Sequence, residues 1–132
     1  MTASDAGAGS PGRAQPQPAE VLERIRSGYE RRDAALLASL YADDAEFTIV
    51  NPRYPPSQPL VLRGRASIHG MFDDLCSRSM AHRLESGVAG DERLAYASVC
   101  EYPDGCRVMT ISVASLAGGH IRRETSICCW DD

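Results

Sequence analysis

The chain has 132 residues, 43% of them hydrophobic, and a net charge of −4 from 18 acidic and 14 basic side chains, enough for one domain with one core. That charge supplies no positive field to hold a phosphate backbone, so nucleic acid is not an expected partner. All 14 bases are Arg, and without Lys there is neither Schiff-base chemistry nor a lysine-bound pyridoxal cofactor.

Residues 1–18 are rich in Ala, Gly, Pro, Gln and Ser, too poor in apolar side chains to offset the entropy of ordering, and are expected to form a disordered tail ahead of a domain over 19–132. They lack the basic start and apolar run of a secretion signal. No stretch of the chain is apolar for long enough to span a bilayer, so no membrane partner and a cytoplasmic location are expected. The five cysteines are odd in number, none is in C-x-x-C spacing, and Cys128 and Cys129 are adjacent. Reduced thiols follow.

A first helix is expected from Pro18 to about Arg32, with Val21, Leu22, Ile25 and Tyr29 on one stripe. Asp33 then caps a second helix through Tyr41, whose apolar side is Leu36, Leu37 and Leu40. Ala45–Asn51 reads as a strand, with Phe47, Ile49 and Asn51 on its inward side. A loop with four prolines covers 52–59. The third helix, over about 65–76, places Ile68, Met71, Phe72 and Leu75 at helical spacing. Strands follow at 80–88, 94–102, 106–116 and 120–130. Tyr102-Pro103-Asp104-Gly105 marks one hairpin turn and Gly118-Gly119 the next. The first of these turns pairs Cys100 with Val108, Ser98 with Thr110 and Tyr96 with Ser112.

Three segments carry a family resemblance: Leu40-Tyr41-Ala42-Asp43-Asp44-Ala45, Leu62-Arg63-Gly64-Arg65 before a helix, and a last strand closing on Trp130. Together they resemble the nuclear-transport-factor-2-like superfamily, in its SnoaL-like polyketide cyclase and ketosteroid isomerase branches. The resemblance implies an α+β fold in which three N-terminal helices pack on a curved, mostly antiparallel sheet, a cone-shaped half-barrel with one pocket. It also implies that Trp130 points inward and that the outer sheet face meets a second copy. Alternation then turns Glu124, Ser126 and Cys128 inward, with Tyr96, Ser98, Cys100, Thr110 and Ser112. Apolar character alone would put Ala97, Val99, Met109, Ile111 and Val113 inside; the resemblance implies the reverse, making them with Ile127 an apolar outer face suited to a homodimer.

Among the histidines, His120 follows a turn and His69 lies one turn from Asp73, both places for solvated side chains. His82 belongs to the alternate set Met80, His82, Leu84, Ser86 and Val88, which faces inward. It is either a general acid or base or a hydrogen-bonded structural imidazole. Glu124 is either an inward carboxylate with a raised pKa that pairs with His82, or a solvated partner of Arg122 and Arg123. His82 and Glu124 are the candidates for acid–base catalysis. Tyr29, Tyr41 and Tyr96 offer hydroxyls, Asn51 an amide, and Ser98, Thr110, Ser112 and Trp130 complete the candidate ligand contacts. Arg53 stands at the rim. No second His or Cys accompanies His82 at ligand spacing, so no metal is expected, a His with a Glu on another strand staying open; the SnoaL-like resemblance implies chemistry without a cofactor.

The resemblance carries departures. Asn51 stands where the isomerase branch has a base Asp, Ser112 where it has an acidic donor, and the Asp-Arg-Asp set of the superfamily's epoxide hydrolases is missing. The expected function is binding of a small, largely apolar, carbonyl-bearing metabolite with cofactor-free acid–base chemistry: cyclisation, dehydration or isomerisation. A non-catalytic ligand-binding or dimerisation module of the same fold is the alternative.

Overall fold

The computed structural model describes residues 15–132; of the segment expected to be a tail, residues 1–14 lie outside the described residues. The order is α1 (Pro18–Glu30), α2 (Ala34–Ser39), β1 (Tyr41–Val50), β2 (Leu60–Arg63), α3 (Arg65–Ser77), β3 (Ala81–Gly90), β4 (Arg93–Glu101), β5 (Arg107–Ala117) and β6 (His120–Trp130). Pro18 opens α1, where its missing N–H costs nothing, and the Gln17 amide N–H donates to the Glu20 carboxylate at 3.0 Å. Asp33 caps α2 through the Leu36 amide, 3.0 Å away. At Gly28 the two helices touch: a Cβ there would stand 2.6 Å from a Leu37 methyl.

The six strands form one open sheet in the order β2-β1-β6-β5-β4-β3. Only β1 and β6 run parallel. The hairpin register is the expected one, with Cys100 opposite Val108, Ser98 opposite Thr110 and Tyr96 opposite Ser112. Gly105 sits at φ +92°, a left-handed conformation that residues with a side chain rarely adopt. The helices cover the concave face: α1 lies over β3 and β4, and α3 over β1 and β2. Among the described residues, no helix is long and apolar enough to cross a membrane.

Three expectations are corrected. The second helix stops at Ser39, and Tyr41 opens β1 instead of closing the helix. Leu60–Arg63, read only as the approach to a helix, is a strand paired with β1, Phe47 opposite Leu62. Finally, β3 does not alternate evenly. A bulge between Leu84 and Ser86 shifts the pairing by one, so Val88 is 70% exposed instead of facing inward.

Candidate functional site

The two sheet faces differ as alternation requires. Tyr96, Ser98, Ser112, Glu124 and Ser126 are buried, whereas Met109, Ile111, Val113 and Ile127 are exposed. Between the concave face and the helices lies a cavity of about 730 Å³, a size suited to a small organic molecule. Phe47 and Ile49 of β1, Met71 and Leu75 of α3, and Trp130 give it apolar walls. Tyr29, Ser98, Cys100, Thr110, Ser126 and Cys128 supply its sparse polar lining. The mouth is charged: Arg78 bonds the Asp74 carboxylate at 2.6 Å and the Tyr102 hydroxyl at 3.2 Å, and Arg53 stands nearby.

Behind the lining, Glu124 is 2% exposed. Its Oε1 accepts the Tyr41 hydroxyl at 2.5 Å, and its Oε2 accepts Tyr96 at 2.5 Å and Ser112 at 2.7 Å. The Ser112 hydroxyl is also hydrogen-bonded to that of Ser126, which lines the cavity. Among the described residues no cation offsets the carboxylate; burial raises its pKa while the three hydroxyl donors pull the other way. Burial and the Glu124 charge hold the Tyr41 and Tyr96 phenols above their ordinary range.

His82 is 6% exposed. Its Nδ1 lies 2.9 Å from the Cys100 sulfur, and its Nε2 is buried with no hydrogen-bond partner among the described residues. The Tyr29 ring packs against the imidazole, with centroids 5.8 Å apart. Desolvation, helped by the Arg32 charge, lowers the His82 pKa, and desolvation pushes the Cys100 thiol up to about 11. The pair is therefore neutral near pH 7 and is not a thiolate–imidazolium nucleophile.

Of the residues expected to meet a ligand, Tyr29, Asn51, Ser98, Thr110 and Trp130 line the cavity. Tyr41, Tyr96, Ser112, Glu124 and His82 are buried behind them. Asn51 is engaged in its own loop, its Oδ1 accepting the Arg53 and Tyr54 amides at 2.8 and 3.0 Å. The expected pairing of Glu124 with His82 is not formed. The two strands are three places apart in the sheet, roughly 14 Å at the usual strand spacing. Neither does Glu124 answer Arg122 and Arg123, which bridge Asp44 and Glu46 instead. Sequence reasoning missed the Arg78 bridge at the mouth, although Asp74 and Arg78 stand at i,i+4 spacing.

A family model described as SnoaL-like domain matches residues 22–124. An NTF2-like protein of unknown function from Mesorhizobium loti superposes with a TM-score of 0.72 at 19% identity, covering 83% of this chain and 88% of that one. A candidate ketosteroid isomerase from Kribbella flavida gives a TM-score of 0.69 at 15% identity, covering 85% and 76%. A candidate isomerase from Bacillus subtilis gives 0.62 at 21% identity, covering 86% of each chain. At these identities the likeness concerns the fold. No curated protein matches the chain.

Proposed function

The chain belongs to the SnoaL-like family, and from that premise we propose that its cavity binds a small, largely apolar, carbonyl-bearing metabolite for cofactor-free acid–base chemistry. The observation that carries this reading is a buried carboxylate with no counter-ion among the described residues, joined through hydroxyls to the polar lining of an otherwise apolar cavity. In this reading Phe47, Ile49 and Trp130 receive the apolar body, while Tyr29, Ser98, Thr110 and Asn51 border the polar end. Glu124 stores the charge that a proton transfer needs; His82 supports Cys100 in the wall. Cyclisation, dehydration and isomerisation all fit such a site.

A non-catalytic carrier of the same ligand class is the second reading, favoured by the full set of hydroxyls around Glu124 and its position behind the lining. Cyclic enones and aryl ketones, screened by NMR, are expected to perturb the Ser98, Thr110 and Trp130 signals. Failure of every such compound to move them would overturn the binding reading. Deuterium exchange at the carbon next to the bound carbonyl, lost in Glu124→Gln, separates catalyst from carrier.

We further propose a homodimer formed through the outer sheet face. The support is the adjacent exposed set Met109, Ile111, Val113 and Ile127, which β5–β6 pairing places together.

A further inference from the structure

The hydroxyls at Glu124 leave little freedom in where their protons point. A serine hydroxyl has one proton to donate. Ser112 donates its proton to Glu124 Oε2, so the Ser112–Ser126 bond takes the proton of Ser126. Ser126, the member of this chain that lines the cavity, is left with lone pairs alone to offer a ligand. When Glu124 takes up a proton and donates it to Ser112, the order reverses: Ser112 donates to Ser126, and the Ser126 proton is released toward the cavity.

We propose that Ser126 is a specificity-determining contact whose hydrogen-bond polarity is set by Glu124 through Ser112. With the carboxylate ionised, Ser126 accepts and selects a ligand that presents a hydroxyl, such as an enol or phenol. With the carboxyl neutral, Ser126 donates and selects a carbonyl oxygen. This rests on the binding reading above and sharpens it: an enol and its keto form are told apart by one proton two hydroxyls away. Burial raises the Glu124 pKa from its ordinary value, against the pull of the Tyr41, Tyr96 and Ser112 hydroxyls.

The titratable groups around the carboxylate are Tyr41 from β1, Tyr96 from β4 and Tyr29 from α1, with the thiols of Cys100 and Cys128 beyond Tyr29. Burial raises all five above their ordinary values, so they stay protonated from pH 5 to 8. His82, on β3, has its pKa lowered by burial and by the Arg32 charge, and its contribution is controlled for with His82→Gln.

The test uses the full chain with glutamate labelled at the δ-carbon with ¹³C, the Glu124 resonance being assigned by its loss in Glu124→Gln. Without any ligand, the Glu124 midpoint is expected to rise in Ser126→Ala and to rise further in Ser112→Ala, because each removes a donor that supports the carboxylate. An unchanged midpoint in Ser126→Ala overturns the relay. The probes are 2-naphthol, a donor, and 1-tetralone, an acceptor only. As Glu124 ionises, naphthol is expected to bind about tenfold tighter and tetralone about tenfold weaker, and both trends should vanish in Ser126→Ala. Equal pH trends for both probes, or trends that survive Ser126→Ala, overturn the assigned polarity. If neither probe binds while the midpoint still rises in Ser126→Ala, the relay stands and the binding reading falls.

Discussion

The Tyr41 hydroxyl meets Glu124 Oε1 at 2.5 Å, joining residues 83 positions apart. Tyr41 opens β1, and Glu124 lies within β6, its parallel neighbour. The bond therefore ties the first strand to the last beneath the cavity, and three hydroxyls in all depend on the carboxylate. Glu124→Ala, which leaves them unsatisfied, is expected to cost about 3 kcal/mol or more of stability, against little for Glu124→Gln, as read by urea denaturation.

The raised Glu124 pKa has a sign in stability. The folded state holds its proton above the unfolded value of 4.5. The contribution is thus fully present below that value and is lost as pH rises through the folded pKa. Unfolding free energies measured from pH 4.5 upward should decline in the parent relative to Glu124→Gln, and a constant difference would refute this.

His82 acts in the opposite sense. Its folded pKa lies below the unfolded 6.5, so its contribution is fully present above 6.5 and falls as pH drops from there toward the folded value. His82→Gln should remove that acid sensitivity and, because the Cys100 contact is lost, cost about 1 kcal/mol at pH 7. A Cys100 reaction rate with iodoacetamide that falls at least 100-fold in His82→Gln would instead point to a working nucleophile–base pair.

The β3–β4 turn places Asp91 at φ +47° and Glu92 at φ +59°, left-handed positions that favour Asn and Gly. Replacing the pair by Asn-Gly is expected to raise stability by about 1 kcal/mol. Calorimetry of the double variant would show an unchanged or lower melting temperature if the turn had another conformation.

For the outer face, Ile111→Glu and Met109→Glu are expected to give monomers by light scattering at concentrations where the parent is a dimer. A parent that is itself monomeric at micromolar concentration would end the dimer reading.

Much of this arrangement can be read from alternation once one side chain is anchored. Trp130 inward fixes Glu124 and Ser126, and the Tyr102-Pro103-Asp104-Gly105 turn fixes Ser98 against Thr110. What alternation cannot give is the order of strands. The candidate pair His82 and Glu124 assumed nearness that two intervening strands forbid, whereas Tyr41 reaches Glu124 because β1 crosses back beside β6. Tyr41 itself was obscured by the apolar spacing it shares with Leu37 and Leu40, which continues a helical stripe past the true helix end. Leu60–Arg63 is four residues long, too short for a period-2 pattern to stand out beside a proline loop. The bulge after Leu84 leaves no compositional mark, so Val88 looked inward.

The place of β6 between β1 and β5 bears on how the protein is made. A ribosome releases β1 long before its parallel neighbour, and the sheet lacks an interior strand until residue 130 has cleared the exit tunnel. Until then the β1 and β5 edges that β6 will join stand open to chaperones and to neighbouring chains.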